Sequence, residues 1–168
     1  MARHVALLRA VNVGGRNKLA MPLLREIFEA VGCADVETYI QSGNVVYGGS
    51  ADAATLRQAI ADGAGVDTDV IVRTARQLTA VLTGNPYGDE EHVHIGFMAS
   101  APPASVLKAL DADKFAPDEF TVRKADVYLH LPNGVGNSKL PPYLVRGLEV
   151  PTTIRNWRTV TTLRDMAR

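Results

Sequence analysis

The chain opens on an apolar run, Val5-Ala6-Leu7-Leu8, resumed at Ala10-Val11 and broken only by Arg9. Both alternations are apolar, which predicts a strand over residues 5–11 with both faces covered, and hence one central to its sheet. A polar stretch over 12–20 then reads as a loop. Pro22 suits the first turn of a helix whose apolar stripe is Leu23, Leu24, Ile27, Phe28 and Val31, with Gly32 as its stop. Val36, Thr38 and Ile40 alternate with Glu37, Tyr39 and Gln41, and Ser42-Gly43 leads into Asn44-Val45-Val46-Tyr47, the pattern of a hairpin. A weaker helical stripe over 52–61 (Ala54, Leu56, Ile60) and the run Val70-Ile71-Val72 complete the order βαββαβ.

A connecting helix is expected over 75–83, ended by the turn-forming cluster Gly84-Asn85-Pro86-Tyr87-Gly88. The second series repeats the first: a strand over 92–98, a helix over 102–110, a hairpin from 120–123 and 127–131, a proline-started helix over 138–148, and a short strand over 152–154. Asn156 is placed to cap a last helix carrying Trp157, Val160 and Leu163. The expected fold class is therefore α+β: two tandem ferredoxin-like βαββαβ units with antiparallel sheets, a connecting helix and a C-terminal helix. The turn cluster divides the chain into 1–84 and 85–168, tightly packed as one body, because each sheet has a face without its own helices that needs cover. No residue-by-residue repeat between the halves is evident.

Composition narrows the function classes. Apolar residues make up 46% of the 168 and charged residues 21%, which sets the chain apart from disordered proteins. Eighteen basic residues balance eighteen acidic ones, so no long-range field draws in nucleic acid, and any basic site must be local. The single Cys33 fits a reducing compartment and offers no cysteine metal framework. With no signal-peptide pattern at Met1-Ala2-Arg3-His4 and no apolar run of membrane length, the expectation is a cytoplasmic protein with no membrane partner.

Five stretches carry a resemblance: LLRAVNVGGRNKLAM at 7–21, TYIQSGNVVY at 38–47, NPY at 85–87, SKL at 138–140 and TIRNWRTVTTL at 153–163. In that order they closely resemble the bacterial family numbered 1697 among the domains of unknown function, in register over nearly the whole chain. The resemblance implies an intimately packed tandem ferredoxin-like architecture and supplies no catalytic residue or cofactor. Two positions depart from the family pattern: Ala10, where glycine is expected, and Tyr47, where phenylalanine is usual.

The candidate chemistry is polar and anion-directed. In the loop Asn12-Val13-Gly14-Gly15-Arg16-Asn17-Lys18 two glycines permit exposed amides beside two cations, although neither P-loop nor dinucleotide-fingerprint spacing is present. Arg9, in an apolar run, requires a carboxylate, carbonyls or a ligand. Gln41, Ser42 and Asn44 surround a tight turn with groups able to read a polar ligand, and Ser42 has no nucleophile setting. Arg155-Asn156-Trp157 at a helix start, with Lys139 of Ser138-Lys139-Leu140, suits a phosphate or a planar base. His92 and His94 share a strand face but have no third ligand; the pairs Asp67/Asp69 and Asp111/Asp113 lack calcium-loop companions; no metal is expected.

These residues lead to a binding protein for a small anionic or nucleotide-like ligand. An enzyme acting on an anionic substrate is the second class, with no base identified, and a protein-interaction module without a small ligand is the third. RNA binding ranks below these, since no aromatic string marks a strand surface. The Arg9 and glycine-loop residues are expected to meet Gln41 to Asn44, because the first and third strands of such a sheet are antiparallel neighbours.

Overall fold

The computed structural model describes residues Met1–Arg168. By internal packing the chain divides into two units, Met1–Ala80 with Thr161–Arg168, and Val81–Val160. In the first, β1 (Arg3–Leu8), α1 (Met21–Ala30), β2 (Ala34–Thr38), β3 (Asn44–Gly48), α2 (Ala53–Ala64) and β4 (Val70–Thr74) follow in order, and α3 (Ala75–Thr83) continues from β4. The four strands form one antiparallel sheet in the order β2-β3-β1-β4. The second unit repeats this with β5 (Val93–Met98), α4 (Ala104–Lys108), β6 (Glu119–Arg123), β7 (Asp126–His130), α5 (Leu140–Gly147) and β8 (Thr152–Asn156), in the order β6-β7-β5-β8; α6 (Trp157–Met166) ends the chain. The fold is two tandem βαββαβ units, as the periodicity predicts.

Local chemistry accounts for the elements. Asp52 caps α2 by accepting from the Thr55 amide at 2.8 Å, and Gly65 ends it in the left-handed region. Leu24, Ile27 and Phe28 of α1 and Leu56 and Ile60 of α2 bury against Ala6, Leu8, Val45 and Tyr47 on one sheet face. In the second unit Leu140, Leu144 and Leu148 pack with Met98, Val127 and Leu129. Burying a leucine or phenylalanine side chain contributes about 1.5–3 kcal/mol, so these clusters are the main stabilising term of each unit. The opposite faces are also buried, through Val5, Leu7, Val46 and Ile71 in one unit and Ile95, Phe97 and Tyr128 in the other.

Several boundaries differ from expectation. β1 ends at Leu8 rather than residue 11, because Ala10 and Asn12 take positive φ (54° and 55°) that no strand accommodates. The same observation explains the departure at position 10: this is a backbone geometry that glycine adopts without cost. β2 lies over Ala34–Thr38 and excludes Ile40, whose φ is 51°. Leu23 and Val31 sit at the rim of the α1 stripe, 37% and 38% exposed. At Tyr47 the hydroxyl that phenylalanine would lack donates to the Ala51 carbonyl at 2.8 Å.

The strand registers also reveal a repeat that was not evident in the sequence. Leu7 pairs with Asn44 and His4 with Thr74; Phe97 pairs with Asp126 and His94 with Asn156. The Leu8 amide donates to Gly43 O and the Arg9 amide to Asp69 O; Met98 and Ala99 donate equivalently to Ala125 O and Pro151 O. On that alignment Val72-Arg73-Thr74-Ala75-Arg76 matches Ile154-Arg155-Asn156-Trp157-Arg158. Arg73 and Arg155 each turn a guanidinium nitrogen back to the preceding carbonyl, at 3.1 and 3.0 Å.

Candidate functional site

The end of β1 and the loop after it build the first unit's polar site. Because the strand stops at Leu8, Arg9 lies just outside the sheet, with its backbone still held by Asp69 O (3.0 Å) and by the Thr68 hydroxyl donating to Arg9 O (2.6 Å). Its side chain, 39% exposed, reaches Asp69 Oδ2 at 3.2 Å. Arg57 of α2 takes the other Asp69 oxygen at 2.7 Å and Asp67 Oδ1 at 2.9 Å, and these carboxylates hold its proton more firmly than usual. Arg9, Ala10, Asn17, Arg57, Thr68 and the two aspartates line a cleft of about 330 Å³. The aspartate pair considered for calcium is thus the counter-charge of an arginine pair.

The loop itself is held by asparagine. Asn12 donates from Nδ2 to Leu19 O (3.0 Å) and Gln41 O (2.8 Å) and accepts the Leu19 amide at Oδ1 (2.8 Å), so one side chain ties both ends of the loop to the β2–β3 turn. Gly14 and Gly15 have φ of 58° and 75°, the two central residues of a tight turn that brings the Arg16 amide to Val13 O at 3.0 Å. Turn geometry therefore accounts for both glycines. Arg16 and Lys18 stand exposed on either side of Asn17. Gln41, Ser42 and Asn44 do approach this loop: Leu7 pairs with Asn44, two residues before Arg9. Asn44 is fully buried, however, and donates to Tyr39 O and Ser42 Oγ at 3.0 and 2.9 Å, closing the turn, while Gln41 is exposed.

Lys139, Arg155, Asn156 and Trp157 belong to the second unit. Ser138 accepts the Leu140 amide and donates to Asp118, which makes the Ser-Lys-Leu segment a helix-entry turn, with Lys139 exposed. Arg155 is 8% exposed; burial lowers its pKa to about 10, and it donates to Thr153 Oγ1 at 2.6 Å. Asn156 caps α6 by accepting the Thr159 amide at 2.8 Å. Asn156 and Trp157 border a cleft of about 430 Å³ with Glu90, Glu91, His94 and Arg158. The sequence reading missed the two glutamates and Arg158; only the spacing of Arg158 from Arg155 marked it, matching that of Arg76 from Arg73.

His92 is not the strand neighbour of His94 that alternation suggests. It precedes β5 and meets Asp89 Oδ2 at 2.7 Å, while His130 of β7 meets the same oxygen at 3.1 Å and stacks on Tyr87. These contacts, that of His130 foremost, lower the Asp89 pKa. A carboxylate whose folded pKa lies below its unfolded value of about 3.9 contributes stability above that value and loses it as pH falls through the folded one. Wild type should therefore lose more stability than Asp89→Asn between about pH 5 and pH 2. Urea unfolding of both proteins across that window measures it, and parallel curves would show that the pairs contribute nothing. No group of three or more histidine, cysteine, aspartate or glutamate side chains is disposed to hold a metal ion. No helix is long and apolar enough to cross a membrane.

The model of the family described as "Protein of unknown function (DUF1697)" matches residues 1–128. The chain belongs to that family. The first three motifs lie inside the matched part, whereas Ser138-Lys139-Leu140 and the β8–α6 segment lie beyond the DUF1697 match. No curated protein matches the chain. Among solved structures, that of the conserved bacterial protein SP0830 from Streptococcus pneumoniae is similar over 99% of this chain and 98% of that one. Its TM-score is 0.73 at 22% identity, a likeness of fold.

Proposed function

We propose that this protein binds a small anionic ligand, such as a phosphate ester, at the loop end of its first sheet. The observation that carries the reading is Arg9: one terminal nitrogen meets Asp69, and the rest of the half-exposed guanidinium borders the cleft with no protein partner. In the cleft Arg9 and Arg57 balance the two charges of Asp67 and Asp69, and Arg16 and Lys18 add two exposed cations on either side of Asn17, which lines it. Phosphate ligation by a planar guanidinium assisted by a flexible lysine is a common pairing. Binding is favoured over catalysis because both carboxylates in the cleft are engaged by arginine, leaving no free base beside a bound substrate.

The test is a thermal-shift titration with inorganic phosphate, glucose 6-phosphate and ATP on wild type and Lys18→Ala. Lys18 is exposed and carries no structural contact, so the variant should unfold like wild type yet bind about 5- to 150-fold more weakly, the loss of one charge-assisted contact of about 1–3 kcal/mol. Equal shifts in both proteins would remove Lys18 from the site, and no shift with any of the three would overturn the reading.

A further inference from the structure

We propose that the second unit carries a separate site for a small zwitterion, a molecule bearing an ammonium and a carboxylate on an apolar or aromatic body. It would lie in the cleft between the segment before β5 and the start of α6. The site is independent of the anion site above and shares no residue with it.

The cleft is open to solvent, and its volume of about 430 Å³ is enough for a small molecule. Its chemistry has two signs. Glu90 and Glu91 are exposed on one side, and neither carboxylate is engaged in an ion pair or side-chain hydrogen bond. Arg158, exposed, lines the same cleft with Asn156. A lining that carries both signs is complementary to a molecule that carries both charges.

The strand-to-helix crossover at Asn156-Trp157 has its counterpart at Thr74-Ala75, where the same cap is made: Thr74 Oγ1 accepts the Gln77 amide at 3.1 Å as Asn156 Oδ1 accepts that of Thr159. An alanine at the first helical position suffices there, so the indole at Trp157 is not a requirement of the crossover. The histidines correspond as well, His4 to His94, and in both Nδ1 is buried without a hydrogen-bond partner. His4 stacks on Tyr47 at 5.6 Å, an aromatic lid supplied by its own unit. At the position of Tyr47 the second unit has Leu129, and His94 instead borders the open cleft. A buried polar atom left unpaired costs free energy, and His94 is a residue of that kind on the border of this cleft. Burial lowers the His94 pKa, so at neutral pH the ring is uncharged and adds no repulsion to an ammonium. A cleft lined by an indole and two carboxylates is a setting that attracts an organic cation.

Trp157 is the only tryptophan of the chain, so tryptophan emission excited apart from the five tyrosines reports on this cleft. The experiment titrates the protein with L-phenylalanine and L-leucine, and with phenethylamine and 3-phenylpropionate, which each keep one of the two charges. Binding is followed by selectively excited tryptophan emission and by calorimetry. Both amino acids should give saturable signals, with the single-charge analogues about tenfold or more weaker, the loss of one charge-assisted contact. The double variant E90Q/E91Q changes exposed, unpaired groups and should weaken both amino acids by a similar factor while its unfolding stays as in wild type. Absence of a saturable signal by either method, single-charge analogues binding as tightly, or an unchanged affinity in the double variant would each overturn the proposal. None of these outcomes bears on the phosphate titration of Lys18→Ala.

Discussion

Gly43→Ala should cost the protein about 2–5 kcal/mol of stability, a large share of the roughly 5–15 kcal/mol a domain possesses. Two effects add at this position. The φ of 84° is one that L-residues avoid at about 1–2 kcal/mol. A Cβ would also stand 2.6 Å from Val11 Cγ2 and 2.8 Å from Leu8 Cβ, inside contact distance. Both neighbours are buried, and the Leu8 amide is fixed to Gly43 O at 2.8 Å, so Leu8 cannot move without disturbing the β1–β3 pairing. Overpacking of this kind costs about 1–3 kcal/mol. Gly14→Ala is the natural control, since its φ of 58° carries the backbone term while a Cβ there meets nothing within 4 Å. Urea unfolding should show Gly43→Ala losing at least twice what Gly14→Ala loses. Equal losses would mean that the close approach is relieved at no cost and that the turn, not its packing, selects glycine.

That contrast shows which parts of the molecule can be read from the chain. Alternation and helical spacing gave the order of elements, and with it the sheet order, because an antiparallel βαββαβ unit leaves little freedom. The end of β1 was not legible: residues 10 and 11 are apolar, and nothing in an alanine announces the φ of 54° that stops the strand. Ile40 misleads in the same way, as a β-branched residue continuing an alternation that its own φ of 51° breaks. The internal repeat was hidden because what recurs is hydrogen-bond register and a few positions around Arg73 and Arg155, with unequal lengths between the first two strands of each unit.

The polar sites were partly legible. Arg9 demanded a counter-charge, but its partner Asp69 is far along the chain and was visible only as an aspartate near another. Arg155, expected from its place at a helix start to suit a phosphate or a planar base, is buried and bonded to Thr153 within β8. The cleft beside it draws on Glu90 and Glu91, charges at an exposed turn that look like ordinary solvation until the fold sets them beside Trp157.

Asn12→Gly should cost about 2–4 kcal/mol and release the loop that carries Lys18. Glycine tolerates the φ of 55° at this position better than any other residue, so the backbone term is removed from the comparison and the side chain's role stands alone. Three hydrogen bonds disappear, to Leu19 O, Gln41 O and from the Leu19 amide, each worth about 0.5–1.5 kcal/mol net. Leu19 is 2% exposed, so its amide and carbonyl would lose their partner in a buried place, which puts the cost toward the upper end of the sum. Because the same side chain bridges the loop to the β2–β3 turn, the loss should be local in structure as well as global in energy. Amide hydrogen exchange should accelerate over residues 12–19 and 41–43 under native conditions while the β1–β4 pairing stays protected. If the Arg9 cleft is the ligand site, phosphate affinity should fall in this variant although Arg9, Arg57 and Asp69 are untouched, since Asn17, which lines the cleft, and the loop that carries Lys18 would no longer be held in place. Unchanged exchange over residues 12–19 would show that the glycine turn and the Val13–Arg16 bridge hold the loop without Asn12.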